Sequence, residues 1–264
     1  MARRTRLDAE LVRRGLARSR EQAAALIAEG RVEVRGTLAA KPAAQVDPAD
    51  PLRVLDADAD DYVSRGGHKL AGALAAFEKL PVRGRRCLDA GASTGGFTDV
   101  LLRQGAAAVA AVDVGYGQIA WSLRTDARVT VIERTNVRTL TPETIGGPVE
   151  LTVADLSFIS LRLVLPALAA CTASGGDLVP MVKPQFEVGR ERVGDRGVVR
   201  STELRTEAVL DVAATAAGLG LGVAGVTVSP LPGPMGNVEF FLWLRRDAPP
   251  VDPAAVSLVV EGSA

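Results

Sequence analysis

Residues 86–113 constrain the fold of this chain more than any other stretch. Arg86-Cys87-Leu88-Asp89 reads as a short strand ending in an acid, and Ala90-Gly91-Ala92-Ser93-Thr94-Gly95-Gly96 is a loop without a large side chain. Phe97 to Gly105 is patterned as a helix, and Ala106 to Val112 is a second apolar strand followed by Asp113. A strand–loop–helix–strand unit belongs in a parallel sheet, where ligands bind outside the carboxyl ends of the strands. Asp113 lies 22 residues after Gly91, where an acid accepts hydrogen bonds from a ribose diol. The unit points to a ligand that contains a nucleoside.

The glycine spacing narrows the choice. Gly91-x-x-x-Gly95-Gly96 is not the G-x-G-x-x-G that brings a pyrophosphate onto a helix amino terminus, and the chain has no phosphate-binding G-x-x-x-x-G-K-[ST] loop. S-adenosylmethionine fits better than a nicotinamide dinucleotide, which stays open as the alternative. Cys87 and Cys171 lie in apolar stretches and read as buried thiols in a reducing compartment. The single histidine, His68, leaves no metal site to expect. The longest apolar run, Leu151 to Ala173, is interrupted by Asp155, Arg162 and Pro166. With no secretory signal visible, a soluble cytoplasmic protein without membrane contact is expected.

Net charge is zero, yet seven arginines (positions 3, 4, 6, 13, 14, 18 and 20) crowd the first twenty residues against Asp8 and Glu10. Such asymmetry suits an anionic partner. Leu7, Leu11 and Val12 share a helical face that Gly15 ends, and Ser19 with Gln22 makes a capping box for a second helix. Val32-Glu33-Val34 and Leu52-Arg53-Val54-Leu55 alternate as strands. Arg6-Leu7-Asp8, Leu11-Val12-x-Arg14-Gly15-Leu16, Ser19-Arg20-x-x-Ala23 and Leu26-Ile27-x-x-Gly30-x-Val32-x-Val34-x-Gly36 together resemble the S4 RNA-binding domain. That resemblance implies contact with structured RNA through Arg4, Arg6, Arg14, Arg18 and Arg20, with Arg65 beyond the linker. Phosphate contacts of this kind give salt-dependent affinity and little sequence choice.

The acidic run Asp56-Ala57-Asp58-Ala59-Asp60-Asp61 marks a joint. The organisation expected is an S4-type unit over 1–58, a linker over 59–64, a catalytic domain over 65–247 and a weakly structured tail over 248–264. Strands are predicted at 86–89, 107–113, 129–133, 149–154, 177–182, 222–229 and 238–244. Helices are predicted at about 67–79, 96–104, 118–125, 160–171 and 202–218. Ser229-Pro230-Leu231-Pro232-Gly233-Pro234 is too short for a crossover helix, so the last two strands are predicted to be antiparallel neighbours. The fold class is α/β, a Rossmann-like sheet behind a small α+β unit.

Only four of the 31 basic residues are lysines, at 41, 69, 79 and 183. A lysine kept among arginines suits a site that needs an amine able to release its proton. Asp155 and Lys183 end the fourth and fifth strands, and Glu239 opens the antiparallel one, so topology sets all three on one sheet edge. Lys69 opens the first helix of the domain. This Lys69–Asp155–Lys183–Glu239 set resembles the tetrad of FtsJ-type ribose 2'-O-methyltransferases. With Ser64-Arg65-Gly66-Gly67-His68-Lys69-Leu70, Leu88 to Thr98, Asp113-Val114-Gly115-Tyr116-Gly117-Gln118, Glu133-Arg134-Thr135-Asn136 and Lys183-Pro184-Gln185-Phe186-Glu187, the chain is similar to the TlyA family over nearly its whole length.

That resemblance implies a class I methyltransferase that uses S-adenosylmethionine to methylate cytidine 2'-hydroxyls in ribosomal RNA of the small or large subunit. It implies Lys183 at the hydroxyl, Asp155 orienting it, and Lys69 and Glu239 fixing the ribose. Asp89, Gly91 and Ser93 are expected near the methionine part of the donor and Thr94-Gly95-Gly96 beneath it. Asp113 is expected at the donor's ribose and Asn136 at its adenine. Apart from the resemblance, Gln185 to Arg200, with Arg190, Arg192, Arg196 and Arg200, reads either as a mobile basic flap that closes on RNA or as an ordinary solvated loop. Two other readings stay open: an RNA-binding protein whose donor domain does not turn over, and, remotely, the haemolysin activity for which some family members were named.

Overall fold

The computed structural model describes residues 4–17, 19–28, 30–55 and 62–263. The chain forms two compact units, 1–65 and 66–264. Arg18 and the acidic run 56–61, including part of the expected linker, lie outside the described residues.

The smaller unit runs β1 (Thr5–Arg6), α1 (Leu7–Arg13), α2 (Arg20–Ala28), β2 (Val32–Val34), β3 (Thr37–Leu38), β4 (Gln45–Val46) and β5 (Leu52–Val54). Strand β1 pairs antiparallel with β4, and β3-β2-β5 form an antiparallel sheet. Leu7, Leu11, Ala23, Ile27, Val32 and Val46 fill its core. Ser19 starts α2 as its pattern predicts, its hydroxyl accepting the Gln22 N–H at 3.1 Å.

The larger unit opens with α3 (Arg65–Ala76) and continues β6 (Arg86–Ala90), α4 (Gly96–Arg103), β7 (Ala108–Val112), α5 (Trp121–Arg124), β8 (Val129–Ile132), β9 (Val149–Ala154), α6 (Leu161–Cys171) and β10 (Thr172–Val182). It ends α7 (Pro184–Glu187), α8 (Thr202–Gly218), β11 (Gly222–Val228), β12 (Phe240–Arg245) and α9 (Pro253–Glu261). The seven strands lie in the order β11-β12-β10-β9-β6-β7-β8. All neighbours are parallel except β12, which runs antiparallel to both β10 and β11. The short Pro-rich connection therefore does join antiparallel neighbours. The strand order reverses beside β6, with β7 on one side and β9 on the other, which opens the crevice of an open sheet at the carboxyl end of β6.

The tail differs from its expectation. Residues 253–261 form α9, with Asp252 accepting the Ala254 N–H at 2.9 Å and Pro253 in the first turn. Val256 and Val260 are fully buried in the main core. An acidic cap followed by proline was the signal, and two buried valines at i and i+4 explain why the segment docks.

Candidate active site

The floor of the site is the β6–α4 loop. Gly91 takes φ +88°, and a β-carbon there would meet the Asp155 carbonyl oxygen at 2.4 Å, so the loop lies directly on the end of β9. Gly95, at φ +99°, packs equally close to Leu123, which ties the loop to α5. Asp89 is fully buried. Burial pushes its carboxyl up to about 7, against a 2.7 Å hydrogen bond donated by Thr98, with the Asp155 charge pushing the same way as burial. Its Oδ1 has no protein partner. A buried orphan acceptor beneath a loop of small residues fits a ligand that brings its own donor or positive charge.

One wall stands at the ends of β7 and β8. Asp113 accepts Ser93 N–H at 2.8 Å and Gly115 N–H at 2.7 Å, which closes the loop on the strand tip. Glu133 lines the same recess with Ser93, Asp113 and Gln118. Burial raises the Glu133 carboxyl, but the Gly117 N–H and the Arg124 guanidinium outweigh it and hold the group below its ordinary value. Asn136 Oδ1 caps the turn at 137–139 by accepting Arg138 N–H at 2.9 Å. Glu133 directly follows β8 and was not among the site residues expected from the sequence, although an acid after the apolar run 129–132 marks a strand end.

Opposite this wall stand two lysine–carboxylate pairs. Lys183 Nζ lies 2.5 Å from Asp155 Oδ1, an ion pair rather than an aligned hydrogen bond, and donates to Ser157 Oγ at 3.1 Å. Lys69 Nζ donates to Glu239 Oε2 at 2.6 Å. The Val182↔Phe240 register makes Lys183 and Glu239 the next residues outward on neighbouring strands, and Pro180↔Ala154 sets Asp155 on the other side of Lys183. Lys69, Lys183 and Glu239 are buried, and buried charges persist only when paired and hydrogen-bonded. A Gly233 β-carbon would sit 2.7 Å from Glu239 Oε1, so the Pro-rich loop closes over that carboxylate only because residue 233 has no side chain.

Beyond Lys183 lies an open cavity of about 520 Å³ lined by Phe158, Ser160, Gln185, Phe186, Arg190 and Val193, among others. Phe158 takes φ +65° and is 92% exposed, with its ring 5.3 Å from that of Phe186. The basic segment read as a flap or a loop is tied to the rest of the unit at a few points. Asn237 donates to Gly197 O and accepts Val199 N–H at 2.8 and 2.9 Å, and Arg205 donates to Val199 O at 3.0 Å. Arg192 is paired with Glu207 at 2.7 Å, whereas Arg190, Arg196 and Arg200 stay exposed.

In the smaller unit the arginines are organised by two buried acids. Asp8 accepts from Arg6 and Arg20, each at 2.9 Å, and Glu10 accepts from Arg13 and Arg14 at 2.6 and 2.7 Å. The Arg6 guanidinium holds Asp8 far below the usual carboxylate range despite burial, and Arg13 does the same for Glu10. Arg14 also donates to the Pro48 and Asp50 carbonyls, both at 2.8 Å, which ties α1 to the loop before β5. Arg4, Arg6, Arg20 and Arg65 are exposed. Among the described residues no cluster could hold a metal ion, and no helix is long and apolar enough to cross a membrane.

The S4 domain profile matches residues 5–52, and the FtsJ-like methyltransferase profile matches residues 62–246. TlyA of Mycobacterium tuberculosis H37Rv, a 16S/23S rRNA (cytidine-2'-O)-methyltransferase, is 63% identical over 93% of this chain and 91% of its own length. Hemolysin A of Brachyspira hyodysenteriae is 35% identical over 89% of this chain and 97% of its own. A solved Streptococcus thermophilus structure under a hemolysin name has a TM-score of 0.77 at 41% identity, covering 100% of this chain and 96% of that one. The two matched profiles and the 63% identity over most of the chain place it in the TlyA branch of the FtsJ-like methyltransferases, with an S4 domain in its amino-terminal unit.

Proposed function

We propose that this protein transfers a methyl group from S-adenosylmethionine to the 2'-hydroxyl of cytidine in ribosomal RNA of the small subunit, the large subunit or both. The observation that carries the proposal is the pair of lysine–carboxylate contacts, Lys183–Asp155 and Lys69–Glu239, at adjacent strand ends beside the Gly91 loop. S-adenosylmethionine supplies a methyl group already activated by its sulfonium.

The protein's task is to align a poor nucleophile and manage one proton. Lys183 stands at the acceptor hydroxyl, to take its proton or to stabilise the oxygen as negative charge develops. Asp155 fixes the direction of that amine, and Lys69 with Glu239 holds the ribose. Asp89 and the Gly91–Gly96 loop face the amino-acid end of the donor, and Asp113 and Glu133 its nucleoside. Phe158 and Phe186 offer rings beside Lys183 on which an unstacked base can rest, a contact worth about 1–3 kcal/mol. The S4 unit adds phosphate contacts through its exposed arginines.

The test is methyl transfer from labelled donor to isolated 30S and 50S subunits, followed by mapping of the modified nucleotide. A 2'-O-methylcytidine in either subunit supports the reading. Label on a base, or on neither subunit, overturns it.

A further inference from the structure

We infer that Glu187 is a positioning residue for methyl transfer: its carboxylate latches the turn that carries Asp155 and Ser157 to the turn that carries Lys183. The inference rests on the proposed reaction at this site but adds a residue outside the tetrad.

Strands β9 and β10 hold each other only as far as Ala154 and Pro180. Asp155 and Lys183 both lie past that limit. Ala90 O accepts Asp155 N–H at 3.0 Å and Val182 pairs with Phe240, but the β9–β10 ladder does not fix the 2.5 Å contact between the two side chains. Glu187 ties together the turns that follow them. It is 3% exposed at the end of α7 and reaches across to the amino terminus of α6, where its Oε1 accepts Leu161 N–H at 2.8 Å and its Oε2 accepts the Ser160 hydroxyl at 2.5 Å. Ser160 in turn caps α6 by accepting Arg162 N–H at 3.2 Å. Arg162 closes the loop from the other side, donating to the Glu187 carbonyl at 3.1 Å with its Nε 3.6 Å from the Glu187 carboxylate.

A carboxylate at the first turn of an eleven-residue helix satisfies amide donors that have no partner within the helix. The acid doing so comes from another strand's turn, 26 residues away in sequence. Residues 156–160 are thereby fixed at both ends, by β9 and by Glu187. Within that span Ser157 accepts from Lys183, and Phe158 meets Phe186. If the span drifts, Lys183 loses the orientation that Asp155 and Ser157 give it together. A displacement of about 1 Å at a reacting group is enough to cost on the order of 100-fold in rate.

Three variants of the full chain test the latch: Glu187→Ala, Glu187→Gln and Ser160→Ala. Donor binding is measured by calorimetry, turnover on ribosomal subunits is normalised to donor-binding sites, and amide hydrogen exchange is followed over residues 156–161. Glu187→Ala is expected to keep donor affinity and RNA KM within about 3-fold, lower kcat on the order of 10- to 100-fold, and speed exchange at 156–161. Glu187→Gln keeps an oxygen for Leu161 N–H and an amide for Ser160, so it is expected to restore most of kcat and of the protection. Ser160→Ala is expected to fall between, and with Glu187→Gln it decides the matter if Glu187→Ala does not fold. Unchanged exchange and kcat in Glu187→Ala, or a glutamine variant as slow as the alanine one, overturns the latch. Exchange that responds as expected in a protein that methylates neither subunit upholds the latch and overturns the assigned reaction.

Discussion

Lys69 Nζ stands 2.6 Å from Glu239 Oε2, joining α3 to the start of β12 across 170 residues of chain, with the two side chains 9% and 1% exposed. Removing one member of a buried pair strands the other charge, at about 3–5 kcal/mol. Lys69→Ala is expected to destabilise the larger unit by about 3 kcal/mol. Lys69→Ala/Glu239→Ala is expected to cost less than the two single changes combined, because neither charge is left alone. Urea unfolding followed by Trp121 and Trp243 fluorescence measures the cycle. A coupling below about 0.5 kcal/mol would remove the pair as a structural unit.

Lys183 faces a narrower requirement than charge. Arginine keeps the positive charge but does not release a proton at any working pH, and its planar fork does not fit the place of a compact ammonium between Asp155 and Ser157. Lys183→Arg is expected to lower turnover by at least about 100-fold while RNA affinity stays unchanged. Filter binding beside methyl-transfer kinetics separates the two. Turnover within tenfold of the parent protein would take Lys183 away from the acceptor hydroxyl.

The Asp89 carboxyl, pushed up to about 7 by burial, links stability to pH. Between its ordinary value near 4 and 7, the folded protein holds a proton that the unfolded chain has released. Asp89 therefore favours folding at low pH, and that contribution is lost as pH rises through about 7. Asp89→Asn, which keeps an acceptor for Thr98, is expected to gain on the parent by about 2–4 kcal/mol between pH 5 and 8. Parallel urea titrations at several pH values give the difference, and a gap that does not change with pH would contradict it.

In the smaller unit, the arginines proposed to meet RNA differ in how much the fold itself uses them. Arg6 and Arg20 are anchored on Asp8 yet exposed, whereas Arg14 is consumed by Glu10 and two carbonyls. Arg6→Ala and Arg20→Ala are each expected to reduce the salt slope of RNA binding by about 1 with little change in stability. Arg14→Ala is expected to destabilise the unit by roughly 1–3 kcal/mol and leave the slope per folded molecule unchanged. Binding at a series of salt concentrations, paired with thermal unfolding, decides between the roles.

What could be read beforehand follows from which interactions are local. The seven strands were legible because buried parallel strands leave apolar runs such as Ala108–Val112 between turn residues. The common edge of Asp155, Lys183 and Glu239 followed from strand direction alone. The resemblance grouped Asp155 with Lys183 and Lys69 with Glu239, as the contacts do, but periodicity alone does not say that the Lys69 side chain crosses to Glu239. The contacts at Val199 were not legible for the same reason: Asn237 and Arg205 reach it from 38 and 6 residues away. The arginine-rich start read as charge facing a partner, although Glu10 already stood at helical pairing distance from Arg13 and Arg14. The pairing of Asp8 with Arg20 of the second helix was not local enough to read.

Gly91 gives the sharpest link between the β6–α4 loop and the end of β9. Ala90 O accepts Asp155 N–H at 3.0 Å, and Gly91 then turns at φ +88° so close to Asp155 that a β-carbon would lie 2.4 Å from its carbonyl oxygen. That neighbour is backbone, so no side-chain rotation relieves the contact, and the positive φ adds strain of roughly 1 kcal/mol or more. Gly91→Ala must therefore push the loop and the end of β9 apart, moving Asp89 and Ser93 on one side and Asp155 on the other. Donor affinity and turnover are expected to fall together, each by at least about tenfold, with stability lower by 2–4 kcal/mol. Gly117, at φ +69° with no heavy atom within 4 Å of a β-carbon, is the control: Gly117→Ala carries the backbone strain without the clash. If Gly117→Ala lowered donor binding as much as Gly91→Ala does, conformational strain would account for the loss, and the contact with Asp155 would carry none of it.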